Sequence, residues 1–105
     1  MIYSKKAEPA YFEDVLSGAK TFEVRREDDC QFEVGDFLAL NEYAVGDHAD
    51  YTGRCCLVEI VYVLRDPRFV IDGFAILGIR PCSIGTSKSR APMLTDHEMY
   101  TVPVY

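Results

Sequence analysis

Lys20, Glu23 and Arg25 lie within the eight-residue stretch Gly18 to Arg25, and they are the side chains best suited to hold or transform a polar ligand. If this stretch is a strand from about Lys20 onward, Glu23 and Arg25 share a face, because side chains two apart point the same way. Lys20 then stands at the corner entering the strand, within reach of that face. Phe22 and Val24 are expected to point the other way, towards a core. Arginine offers a planar fork that suits a phosphate or the acceptor edge of a base, and lysine adds a mobile positive charge. Glutamate can accept from an exocyclic amine or orient the arginine. A charge-assisted hydrogen bond contributes about 1.5–3 kcal/mol and a stacked base about 1–3 kcal/mol, so a few such contacts make a micromolar site. As catalysts, Glu23 is the natural proton acceptor and Lys20 an electrostatic stabiliser. The same trio can also form an ion-pair ladder that merely braces the corner.

The elements that must position this trio follow from periodicity and breakers. Residues 2 to 6 read as a short first strand. Glu8-Pro9 marks a helix start, since proline suits the first helical position and the residue before it avoids helical geometry. Phe12, Val15, Leu16 and Ala19 follow at i, i+3, i+4 and i+7, one apolar stripe, and Gly18 stands where a helix-ending glycine belongs. That predicts a helix of about three turns, with Tyr11 placed to offer a stacking surface. After the motif strand, Lys20 to Arg26, an acidic connection leads to the turn at Val34-Gly35-Asp36 and a strand over 37–43. Residues 44 to 53 read as a polar loop, and Tyr51, Thr52 and Arg54 at its end are candidate secondary ligand contacts if it folds over the motif. The longest strand follows, Cys55 to Leu64, with Cys56, Val58, Ile60, Tyr62 and Leu64 as one apolar face. The opposite face is apolar except for Glu59. A last strand spans Gly73 to Arg80 and is closed by Pro81.

The totals narrow the function classes. A chain of 105 residues is one small domain, able to bury about two-thirds of its unfolded surface without a metal or disulfide. Cys30, Cys55, Cys56 and Cys82 show no metal-ligand spacing, and His48 and His97 are isolated, so no metal or other cofactor is expected. The net charge of −6 argues against a binder that gains affinity from many phosphates, yet a few convergent cations act locally because charges beyond about 8 Å are screened. No apolar run reaches the roughly 20 residues of a membrane span, and the N-terminus lacks a signal-peptide core; the expected location is cytoplasmic.

The spacing Gly18-x-Lys20-x-x-Glu23-x-Arg25 resembles the signature of the ASCH domain, a branch of the PUA-like superfamily. The flanks Pro9 to Gly18 and Phe32 to Leu40, with Tyr51-Thr52-Gly53-Arg54, resemble a small ASCH-related bacterial and phage subfamily. The likeness covers residues 2 to about 81. It implies an α+β fold: a pseudo-β-barrel of five or six strands, its one early helix packed beside the motif strand with a cleft between them. It also implies an RNA, modified-nucleotide or nucleoside partner. A related branch hydrolyses acetylated cytidine and some members are reported to cut RNA, so the alternative is a small hydrolase using the same cleft. That branch carries a threonine nucleophile where this chain has Glu23, and its catalytic glutamate lies in a helical insertion with no match here. Residues 1–81 are therefore read as the domain and 82–105 as a tail. Its apolar end, Met93 to Tyr105, either folds back or forms a homodimer contact.

Overall fold

A computed structural model describes residues 1–86, with side chains through Cys82. Five strands and one helix follow in the order β1 (Ile2–Ala7), α1 (Pro9–Leu16), β2 (Phe22–Arg26), β3 (Phe37–Ala44), β4 (Asp50–Leu64) and β5 (Phe74–Thr86). They form one mixed sheet in the order β1-β3-β4-β5-β2, curled into a half-barrel. β1 runs parallel to β3, and every other neighbouring pair is antiparallel. The chain thus crosses by α1 from one sheet edge to the other, then returns to lay β3 beside β1.

α1 begins where Pro9 sets its first turn, and Gly18 closes the connection with φ +84°. It has eight residues, about two turns rather than three. Phe12 and Val15 are its buried anchors. Among the strands it packs chiefly on β3, so the helix is not seated on the motif strand as expected. The core is shared by Tyr3, Phe12, Phe32, Leu38, Leu40, Val58, Ile60 and Leu77.

Three departures from the expected elements have one cause, which is bulging. The polar loop over 44–53 is shorter, because β4 starts at Asp50 and carries Tyr51, Thr52 and Arg54 within the strand. Between the pairs Asn41–Cys55 and Tyr43–Tyr51, Glu42 alone faces three residues of β4, and Gly53 absorbs the excess at φ +93°. A second bulge places Val61 between Ile60 and Tyr62, which reverses the alternation. Tyr62 is therefore 61% exposed instead of continuing the face of Cys56, Val58 and Ile60, while Val63 packs on the core. The third lets β5 run through Pro81 to Thr86: Val58 faces Pro81 and Leu57 faces Ser83, so Cys82 is the extra residue. Beyond Gly78, β2 no longer pairs with β5, and proline is tolerated at such an edge and bulge. The strand thus passes the boundary drawn at Pro81. The remaining tail, with its fold-back or dimer role, lies outside the described residues.

The end of β2 is tied to β4 by charge. Arg65 donates to both Glu27 oxygens, at 2.7 and 2.8 Å, and Glu27 also accepts from the Phe32 amide at 2.8 Å. The Arg65 hydrogen bond, then the Phe32 amide, hold the Glu27 carboxyl below its ordinary 4.5 against the opposing effect of burial. A carboxyl with a lowered folded-state pKa contributes stability that is present in full above the unfolded value and lost as pH falls through the folded one. Urea midpoints measured between pH 6 and pH 3 (the span is roughly that over which such a group titrates) are expected to fall less steeply for Glu27→Gln than for the wild-type chain.

Candidate functional site

The motif trio does converge, but with its strand turned over. β2 alternates as expected, yet Glu23 is the buried residue, 4% exposed, while Phe22 and Val24 are 45% and 51% exposed. Strand periodicity decides which residues share a face, not which face meets the core. Here the inward space holds charge. Lys20 donates to Glu23 Oε1, and Arg25 Nε donates to Glu23 Oε2 at 3.0 Å. Arg25 Nη2 lies 2.8 Å from the same Oε2. The ion-pair ladder therefore exists, and Glu23 is held by both cations.

Arg25 does more than neutralise Glu23. Its Nη2 also donates to the Lys6 carbonyl oxygen at 2.9 Å, joining β2 at one edge of the sheet to β1 at the other. The half-barrel is therefore drawn together by a side chain and not by a backbone ladder. Beside this junction lies a cavity of about 690 Å³, within the range of small-ligand sites. Phe22, Glu23, Val24 and Arg25 line it from β2, Lys20 from the corner before that strand, Glu8 and Tyr11 from the helix start, and Lys6, Tyr43 and Val45 from across the gap. The Lys20 ammonium lies 5.3 Å from the Phe22 ring centre and 5.6 Å from that of Tyr11. Lys6 lies 4.3 Å from that of Tyr43. Among the described residues Arg25 Nη1 takes no partner, and no fully buried side-chain nitrogen is unsatisfied, so Nη1 keeps some access to solvent in a residue that lines the cavity.

Tyr51, Thr52 and Arg54 lie elsewhere. Thr52 Oγ1 donates to Glu42 Oε1 at 2.6 Å and Arg54 Nε donates to the same oxygen at 2.9 Å. Arg54 Nη2 also reaches Glu13 on α1, and its guanidinium lies 5.0 Å from the Phe12 ring centre. This cluster fastens the β3–β4 hairpin to the helix. Tyr51 meets Tyr43 edge to face at 5.0 Å and so stands one residue back from the cavity wall. Glu59 pairs with its cross-strand neighbour Arg80, away from the cavity.

Sequence reasoning missed Lys6, Glu8, Tyr43 and Val45 as wall residues. Lys6 alternates with buried Lys5, and Glu8 precedes the helix proline, but neither signal says which edge of the sheet will face β2. Among the described residues no group of three His, Cys, Asp or Glu side chains is placed to hold a metal ion. Burial pushes the Cys56 thiol up to about 12, helped by Cys55 and by the Glu23 carboxylate, and pushes Cys30 up to about 11. Neither is a thiolate nucleophile at neutral pH. No helix among the described residues is long and apolar enough to cross a membrane.

The fold and the site together define a small β half-barrel with a charged, aromatic-walled cleft between its two edge strands. Residues 2–79 match the family described as a domain of unknown function, DUF3850, and the chain belongs to that family. No curated protein matches the sequence. Because Glu23 balances two cations in a nearly closed position, Glu23→Leu is expected to cost about 3 kcal/mol of unfolding free energy. Lys20→Met, which removes a cation at the cavity rim, should cost less. Denaturant titration of the two variants measures both.

Proposed function

We propose that this chain is an ASCH-type, PUA-like domain that holds a nucleotide, free or within a short RNA, in the cleft between β1 and β2. The observation that carries this reading is the pairing of unclaimed donors with exposed rings in one cavity. Arg25 Nη1 and the remaining Lys20 N–H groups supply donors for a phosphate or a base edge. Phe22 and Tyr11, 45% and 54% exposed, offer π faces beside them. A net charge of −6 further favours a short ligand held at one place over a long polyanion tracked along a surface.

The hydrolase alternative asks Glu23 to take a proton from water or substrate. Three N–H contacts from Lys20 and Arg25 already occupy its two oxygens, which supports Glu23 as the group that orients the cations. The cleft is accordingly read as a binding site.

Calorimetric titration with nucleoside monophosphates and single-stranded RNA hexamers (a length that is about the footprint of one small single-strand binding module) tests the proposal. Phe22→Ala is expected to weaken binding by about 1–3 kcal/mol, the value of one stacked base. Lys20→Met should weaken it by about 1.5–3 kcal/mol. Salt dependence should be shallow, with a slope near −0.7 per phosphate contacted and no more than two contacts. Unchanged affinity in both folded variants would overturn the assignment.

A further inference from the structure

The cleft contains two carboxylates, and they are not equivalent. Glu23 is buried and held by Lys20 and Arg25. Glu8 also lines the cavity, is exposed, and sits at the N-cap position of α1. The shorter side chains of Ser, Thr, Asp and Asn at such a position turn back onto the first-turn amides. Glu8 does not: its side chain makes no capping hydrogen bond, and only its backbone carbonyl is used, accepting from the Phe12 amide at 2.8 Å. Among the described residues its carboxylate has neither an ion pair nor a hydrogen bond. It is the acceptor in this cavity that the protein has left unspent.

We infer that Glu8 is the specificity-determining residue of the cleft and selects ligands whose base carries an exocyclic amino group. This rests on the nucleotide reading given above. With Glu23 masked, Lys20 and Arg25 offer only N–H donors, which suit phosphate and carbonyl oxygens and cannot receive a hydrogen bond. Glu8 supplies a charged acceptor on the helix side of the cavity, in a wall that also contains Tyr11, whose ring is one of the candidate stacking faces. A carboxylate accepts from the N–H₂ of cytosine, adenine or guanine. Opposite the keto oxygen of uracil or hypoxanthine it meets another acceptor, and the contact turns repulsive. A site with these groups distinguishes an amine from a carbonyl at one position of the base, because the wrong partner leaves acceptor facing acceptor.

Titration of the whole chain with CMP against UMP, and AMP against IMP, tests that edge of the base, since each pair differs at the amine-or-carbonyl group and, with it, in the proton on the adjacent ring nitrogen; the Glu8 variants then assign the preference to Glu8. The wild-type chain is expected to bind CMP and AMP about tenfold more tightly than UMP and IMP, the discrimination of one hydrogen bond to a charged group in a water-accessible wall. Glu8→Ala should bring the two members of each pair together, weakening CMP and AMP, which lose an acceptor, and tightening UMP and IMP, which lose a repulsion. Glu8→Gln should narrow the ratio, because a carboxamide can also donate to a carbonyl. Lys20→Met should weaken all four ligands by a similar factor and keep the ratio. Thermal midpoints of the Glu8 variants should match the wild type, since the side chain caps nothing. Equal affinity within each pair, or a preference that survives Glu8→Ala, overturns this inference alone. Absence of binding by all four monophosphates overturns this inference, and absence of RNA-hexamer binding as well overturns the nucleotide reading.

Discussion

A single buried carboxylate, Glu23, holds the two cations on which the shape of the half-barrel depends. Charges are taken out of water only when paired and hydrogen-bonded, and Glu23 meets that condition through Lys20 and Arg25. Fixing Arg25 in place lets its Nη2 reach the Lys6 carbonyl on the far edge of the sheet. A backbone ladder would have drawn β1 and β2 to about 4.8 Å apart, leaving no room between them. A guanidinium bridge holds the edges together at one point and leaves a cavity beside it. The clasp and the cavity have one origin.

A second buried glutamate repeats the device one layer away. Glu42, 7% exposed, gathers Thr52 and Arg54, and Arg54 extends to Glu13 on the helix. This fixes α1 against the β3–β4 hairpin, so that Glu8 and Tyr11 on the helix side face Tyr43 and Val45 on the hairpin side. Two glutamate-based clamps thus stand around the cavity: one bridges the unpaired edge strands β1 and β2, and the other ties α1 to the paired strands β3 and β4. The groups lining the cleft are charged side chains and aromatic rings.

The bulges explain why parts of the chain were hard to read in advance. Alternation along β4 predicts one continuous apolar face from Cys56 to Leu64, and it does hold as far as Ile60. One extra residue, Val61, then reverses it, and the cue for that insertion lies in the partner strand: Gly78, opposite Tyr62, has little room even for a Cβ, which would stand 3.1 Å from the Tyr62 Cβ. The Thr52 to Arg54 segment looks like a loop because of its glycine, but the glycine serves a bulge inside a strand. Pro81 looks like a terminator because proline breaks ladders, yet at an edge with a bulge beside it the strand continues. In each case the local residue type was read correctly and its setting was not local.

What sequence alone determined is the set of elements and the company kept within them: the proline-started helix, five strands, and a lysine, glutamate and arginine spaced to meet at one corner. These follow from steric limits and the two- and 3.6-residue periods, which act over a few neighbours. Tertiary structure decided which side of β2 became the inside, which residues across the gap share the cavity, and which of two glutamates was consumed by the protein's own cations. Those outcomes depend on curling the sheet until its first and last strands meet. Local geometry cannot express that closure, because β1 and β2 become neighbours only when three intervening strands have been laid between them.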